Sequence, residues 1–351
     1  MRSEAAPAAG ESFIVAPQWI GDAVMTEPLL RRLHARGERL TVGAVPAVAP
    51  VYRAMPQVHQ VIELPFQRGS IQLRARHALS RQLVGRFDTA YVLPNSLKSA
   101  LLPLLAGIPK RVGYLGEARV GLLTHRLRNP GRSTRLPMVA FYSALAGESG
   151  VEQDRPNLKV AAAEVDQVLQ VHQLQHGSYI VFAPGAEYGP AKRWPAERFV
   201  ELGRSLQHPV VLLGSAKESE LCGAIAAAVS AGANASTDAS APAAHGCIDL
   251  SGKTSLEQAF AWIAGAASVV SNDSGLMHVA AALGVRQIAI FGSSSPRHTP
   301  PLNNAAQVIW LKDDSTYQPS LDCAPCFERT CPLGHTRCLN DVSAERVLSV
   351  L

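Results

Sequence analysis

The chain has 351 residues, 47% hydrophobic and 17% charged, a balance that excludes an intrinsically disordered protein and supplies a core needing no disulfide staples. At about 150 residues per domain, this length reads as two domains. The longest apolar stretches, 99–109 and 259–270, fall short of the roughly 18–20 residues that cross a bilayer, and residues 1–12 lack the apolar segment of a signal peptide, so the expectation is a soluble cytoplasmic protein. The net charge is +5, unevenly spread: residues 1–156 carry 20 Lys and Arg against 11 Asp and Glu, and residues 157–351 carry 13 against 17. Between 64 and 147 there are 13 basic residues opposed only by Asp88 and Glu117. Such a field suits an anionic substrate or membrane surface. With sparse aromatics and no recognition motif, nucleic acid is not expected as a partner.

In chain order, residues 1–12 read as a disordered tail. Residues 13–16 form a first strand, followed by a turn through Gly21 and an amphipathic helix carrying Val24, Leu29, Leu30 and Leu33. Strands follow at 40–45, 58–64 and 89–93, with helices at 98–105 and 138–145. A polar stretch at 148–157 and a helix at 161–174 lead to a second series. Its strands are predicted at 179–183, 210–213, 268–270 and 287–291, and its helices at 195–206, 217–229, 255–266 and 276–283. Strands alternating with helices in this way predict parallel sheets, so the fold class is α/β with two Rossmann-like domains facing a cleft. The divisions expected are 13–157 for the first domain, 158–177 for a linking helix, 178–340 for the second domain and 341–351 for a terminal helix. The Ala-, Gly- and Ser-rich stretch 231–246 reads as a flexible surface insertion.

In parallel sheets, ligands gather beyond the carboxyl ends of the strands. Asp22 follows the first strand and is either a helix N-cap or a base facing a cleft. The loop 184–195 holds Lys192 and Arg193, either a phosphate-binding pair or a solvated loop. The turn Ser271-Asn272-Asp273-Ser274-Gly275 opens a helix that carries His278 one turn after Ser274, and a helix start is an anion site. A further small-residue turn, Phe291-Gly292-Ser293-Ser294-Ser295, follows the next strand. None of these matches a Walker A loop or a complete GxGxxG, so spacing alone indicates only a phosphate-bearing ligand. Cys323, Cys326, Cys331 and Cys338 lie close in sequence, with His335 among them. Four thiols could hold a structural metal, but these spacings are not those of a standard zinc finger or ribbon.

Taken together, Gln18-Trp19-Ile20-Gly21-Asp22, Asn95-Ser96-Leu97-Lys98-Ser99, the loop ending Lys192-Arg193-Trp194-Pro195 and Asn272-Asp273-Ser274-Gly275-Leu276-Met277-His278 resemble glycosyltransferase family 9, most closely its heptosyltransferase II branch. The resemblance runs from about residue 13 to 351. It implies a GT-B fold, with the acceptor on the first domain, ADP-heptose on the second, and the last helix returning to the first. It implies an inverting transfer of L-glycero-D-manno-heptose to the first heptose of a heptosyl-Kdo2-lipid A acceptor, in lipopolysaccharide core biosynthesis. By the same resemblance Asp22 is the catalytic base, Lys192 binds phosphate, and Asp273, Ser274, Gly275, Leu276 and His278 form the pyrophosphate loop. Glu218, with Glu220 as its neighbour and rival, falls at the ribose position, and Thr254 at the adenine. No metal or other cofactor is required, and the protein is expected to be a monomer at the inner face of the cytoplasmic membrane. Rival readings are a heptosyltransferase I acting on Kdo, a nucleotide-sugar 2-epimerase of the same two-domain plan, and a non-catalytic nucleotide-binding module.

Overall fold

A computed structural model describes residues 10–67, 69–131, 135–147, 154–233 and 246–351. The chain divides into two compact units, Met1–Leu158 and Lys159–Leu351. The expected tail 1–12 and insertion 231–246 lie mostly outside the described residues. Where they are described, Glu11 and Ser12 already belong to the first strand, and the helix entering the insertion continues to Ala233.

The first unit runs β1 (Glu11–Val15), α1 (Ile20–Met25), α2 (Glu27–Ala35), β2 (Arg39–Ala44), α3 (Ala49–Arg53), β3 (Val58–Glu63), α4 (Leu73–Ser80), β4 (Thr89–Val92), α5 (Leu97–Leu105), β5 (Lys110–Tyr114), β6 (His125–Leu127) and α6 (Met138–Ser143). Its six strands are all parallel, in the order β3-β2-β1-β4-β5-β6. Helices on both faces of such a sheet make its inner strands continuously apolar, as Phe13-Ile14-Val15 is. The single helix predicted after Gly21 is two: Thr26 turns its hydroxyl back to the Ala23 carbonyl (2.6 Å), and α2 restarts with Pro28 in its first turn. β5 and β6 were not predicted. They are short, and Lys110, Arg111, His125 and Arg126 interrupt the apolar run that would have marked them.

The second unit runs α7 (Ala162–Val171), β7 (Ile180–Ala183), α8 (Ala196–Ser205), β8 (Val210–Leu212), α9 (Ser219–Ala233), β9 (Cys247–Asp249), α10 (Leu256–Ala264), β10 (Ser268–Asn272), α11 (Gly275–Ala282), β11 (Gln287–Ile290), β12 (Ala306–Ile309), α12 (Arg337–Asn340) and α13 (Ala344–Leu348). Its six parallel strands are ordered β12-β11-β10-β7-β8-β9. The core packs Phe182, Trp194, Phe199 and Ile225 around Val270 and Ile290. Two of the expected divisions lie in or mostly in the second unit. The linking helix α7 packs on α10, with Val165 and Leu169 buried, and so belongs to the second unit. The terminal helix α13 packs on α8 and buries Val347 in the second core.

In each sheet the chain reverses its direction of progress at one place, between β1 and β4 in the first and between β7 and β10 in the second. The loops leaving those strands part there, so a ligand can settle beyond the strand ends.

Several arginines of the basic stretch are framework rather than surface. Arg119 is 0% exposed; it donates to the carbonyls of Pro94 (2.5 Å) and Tyr114 and to Asn95 Oδ1 (3.3 Å), tying the loops after β4 and β5 together. Arg76 is buried against Phe66 and donates to the Ile71 carbonyl. Arg119→Leu leaves those carbonyls without their donor and should lower stability by about 3 kcal/mol. Urea denaturation of the purified variant measures it; a loss below about 0.5 kcal/mol, the range of neutral surface changes, would show that Arg119 is not structural.

Candidate active site

In the first unit, Asp22 is half-buried at the third position of α1, beyond the end of β1. The N-cap of α1 is Trp19, so the alternative of Asp22 as a simple N-cap is set aside. Tyr52 and Tyr142 are buried beside it. Burial raises both phenols well above the ordinary range, and the charge of Asp22 adds to the shift. The hydroxyl of Tyr52 lies 3.2 Å from that of Thr26, at the break between α1 and α2.

The second unit brings five loops together at the carboxyl edge of its sheet. β10 ends at Asn272 and Asp273 follows, both buried. The Asn272 amide donates to the Pro184 carbonyl (2.7 Å) and its oxygen accepts from the Trp194 backbone N–H (2.9 Å), so one side chain grips both ends of the loop after β7. Asp273 takes the ammonium of Lys192, from inside that loop, at 2.5 Å. It also accepts from Ser294 (2.5 Å) in the turn after β11. α11 then starts at Gly275, with Leu276 next and Ser274 as its N-cap in extended conformation. The Ser274 side chain caps nothing, and its buried hydroxyl oxygen has no partner among the described residues.

His278 follows one turn later and is buried. Burial lowers its pKa to about 4; the charge of Lys192 lowers it further while that of Asp273 opposes. The ring is therefore neutral at physiological pH.

Glu218 and Thr254 sit on the adjoining strand ends. The carboxylate of Glu218 accepts from the Ser215 N–H (2.8 Å) and hydroxyl (3.0 Å). It lies so close over Gly185 that a Cβ there would displace it. Glu220, its rival, is exposed in the first turn of α9. Thr254 is half-buried in the turn before α10, and that turn is joined to the Glu218 loop by the Gly252 N–H on the Gly214 carbonyl (2.9 Å). Lys192, Glu218, Thr254, Asp273, Ser274, Gly275, Leu276 and His278 thus share one edge of one unit, while Asp22 belongs to the other.

The cysteine-rich segment braces this edge. Cys323, Cys326, Cys331 and Cys338 line one cavity together with Ala191 and Ser293, and all four are free thiols. Burial pushes Cys338 up to about 11, with the other three thiols adding to the shift. Burial also works against ionisation of Cys331, but the backbone N–H groups of Thr336, Leu333 and Gly334 outweigh it and hold that thiol below its ordinary range. Among the described residues, no three His, Cys, Asp or Glu side chains are grouped as metal ligands. The segment reaches the site through its backbone: the Phe327 N–H donates to the Ser293 carbonyl (2.7 Å) and the Ala191 N–H to the Arg329 carbonyl (3.1 Å). Sequence reasoning assigned no part to Asn272 or Arg329, because both act on backbone atoms remote in the chain.

The neutral state of His278 has a consequence for stability. An unfolded histidine binds a proton below about pH 6.5, whereas this one resists protonation down to about 4. As pH falls through that window the unfolded chain takes up a proton that the folded chain refuses, so His278 lowers stability there, by about 2 kcal/mol at pH 5, and has no such effect above pH 7. Urea midpoints at pH 7.5 and 5 should therefore fall further for the wild type than for His278→Gln. Parallel falls would assign the acid sensitivity to other groups.

Comparison with known proteins matches this arrangement to a family. Residues 76–337 match the model of glycosyltransferase family 9 (heptosyltransferase). Lipopolysaccharide heptosyltransferase 2 of Escherichia coli K12 is 38% identical over 355 residues, covering 97% of each chain, and lipooligosaccharide heptosyltransferase 2 of Haemophilus influenzae is 36% identical over 85% of this chain and 88% of its own. The solved structure of the E. coli ADP-heptose LPS heptosyltransferase II matches with a TM-score of 0.78 at 37% identity, again over 97% of each chain. Both Rossmann-like units fall within that match, as a GT-B fold requires. The chain belongs to glycosyltransferase family 9, the heptosyltransferases, and is a glycosyltransferase.

Proposed function

We propose that this enzyme transfers L-glycero-D-manno-heptose from ADP-heptose to the first heptose of heptosyl-Kdo2-lipid A, with inversion at the anomeric carbon. The observation that carries the reading is the Lys192–Asp273 pair beside the start of α11, where the Ser274 hydroxyl is buried without a partner. A helix start, an ammonium and an unpaired hydroxyl form a receptor for phosphate oxygens. The E. coli relative of similar length is a lipopolysaccharide heptosyltransferase 2, which favours the second heptose transfer over the first. A 2-epimerase would need no separate acceptor, and it would leave Asp22 and the basic charge of the first half without a task.

In this mechanism the acceptor hydroxyl attacks the anomeric carbon, the bond to the ADP oxygen breaks, and Asp22 takes the hydroxyl proton. Lys192 and the free N–H groups of α11 stabilise the charge gathering on ADP. Neutral His278 places no charge against them. Glu218 binds the ribose hydroxyls, and the backbone at Thr254 meets adenine. These groups supply the stabilisation, and we invoke no metal ion. Among the described residues no helix is long and apolar enough to cross a membrane. Access to a lipid-linked acceptor then comes from peripheral contact with the inner face of the cytoplasmic membrane, and the enzyme acts as a monomer.

Incubation of ADP-heptose with the purified enzyme tests the reading. Donor should be consumed only when heptosyl-Kdo2-lipid A is added; consumption without acceptor, or transfer to Kdo2-lipid A instead, would overturn it. Asp22→Asn should cut turnover by about 100- to 10,000-fold while ADP binding by calorimetry is retained. A rate within a few-fold of wild type would remove Asp22 from the chemistry. Lys192→Ala should weaken donor binding and turnover together, since its charge meets the diphosphate before and during bond cleavage. Unchanged values of both would remove it from the site.

A further inference from the structure

The charges assembled at the carboxyl edge of the second sheet leave no positive surplus. Lys192 is matched by Asp273 at 2.5 Å, with their side chains 16% and 4% exposed. His278 is neutral at physiological pH, and Glu218 is an acid. A nucleoside diphosphate sugar carries a negative charge on each phosphate, so a site of this composition needs a further cation. The nearby arginines are not equally available. Arg297 is held by both oxygens of Asp313 (2.8 and 3.1 Å) and lies over Trp310, while Arg193 reaches back to the Ala186 carbonyl (3.4 Å).

Arg329, in the cysteine-rich segment, is different. Its Nε donates to the Tyr188 carbonyl (2.7 Å), which fixes the root of the guanidinium. Its two terminal nitrogens have no hydrogen-bond partner among the described residues, and no carboxylate there pairs with it. The guanidinium lies 5.3 Å from the centre of the Tyr188 ring, and Lys192 Nζ lies 5.1 Å from the same centre. Both cations are within the range of cation–π attraction, and the triangle these distances close places them no more than about 10.4 Å apart. The ring is itself fixed by its hydroxyl on the Phe327 carbonyl (2.7 Å). Backbone contacts set the approach: the Ala191 N–H bonds the Arg329 carbonyl (3.1 Å), and Gly189 lies so close to that carbonyl that a side chain there would collide with it. An arginine rooted this firmly, with its outer fork open to solvent, is suited to bidentate contact with phosphate.

We infer that Arg329 is the second cation of the donor site and binds the diphosphate of the nucleotide sugar alongside Lys192. The inference rests on the proposed function, since it assumes that this edge of the sheet holds ADP-heptose. Arg329→Ala should weaken ADP binding by about 10- to 100-fold in calorimetry and raise the donor KM similarly, with acceptor KM unchanged. Arg329→Lys should recover part of the loss, and its deficit should shrink with rising salt. Arg329→Gln keeps a donor within reach of the Tyr188 carbonyl, and it should show the same weakening at an unchanged melting temperature. Arg297→Ala, the control, should bind ADP within twofold of wild type. ADP affinities for Arg329→Ala and Arg329→Gln within twofold of wild type would overturn the inference and leave the functional reading standing. Failure of the wild type to bind ADP would overturn that reading and the inference with it.

Discussion

Asn272 uses its whole amide on two backbone groups of one loop, donating to the Pro184 carbonyl and accepting from the Trp194 N–H. The side chain is 0% exposed, so neither bond competes with water. The loop it closes holds Lys192, and the next residue, Asp273, receives that lysine's ammonium. Two consecutive residues at the end of β10 therefore set both the course of the loop and the position of its charge. The parallel sheet makes this possible. β7 and β10 are adjacent and point the same way, so the loops leaving them meet at the same edge.

Around that clasp, each further element is held by contacts that leave the helix start open. Ser294 shares the Asp273 carboxylate, and Glu218 lies flat over Gly185. Trp194, buried beneath the loop, donates its indole N–H to the Val342 carbonyl and stacks edge-on against Phe199. The turn that precedes the terminal helix thereby holds one end of the loop, while the cysteine-rich segment holds it through Phe327 and Arg329. This edge is a composite of segments separated by as many as 148 residues, each satisfying the other's backbone groups. Such a site is rigid for the reason buried polar networks are: leaving any member unpaired is costly.

The first unit repeats the same logic with different parts. Asp22 leaves β1 and the Asn95–Ser99 segment leaves β4, the two strands between which that sheet reverses. Arg119 does there what Asn272 does in the second unit, holding carbonyls of two neighbouring loops with one buried side chain. Part of the basic charge that distinguishes the first half in sequence is thus consumed in building its framework. Arg76 and Arg119 are buried and spend their donors on backbone carbonyls within the unit.

The alternation of apolar runs and amphipathic stretches was enough to establish two parallel α/β units and to place Asp22, Lys192 and the Asp273–His278 turn at strand ends, because strand burial and helix periodicity are local properties of the chain. The weak strands β5, β6, β9 and β12 were not legible. They are short and polar at their edges, and pairing with a neighbour is what makes them strands. Glu218 could not be separated from Glu220 in sequence, since both lie near the same turn; only packing over Gly185 distinguishes them. The parts played by Asn272, Arg119 and Arg329 were also beyond reach, because each bonds backbone groups whose proximity exists only once the sheet has formed. Sequence by itself determined which local elements form and which residue types stand at their ends. Tertiary structure alone decided which of those ends meet, because parallel pairing brings to one edge strands that the chain order keeps apart.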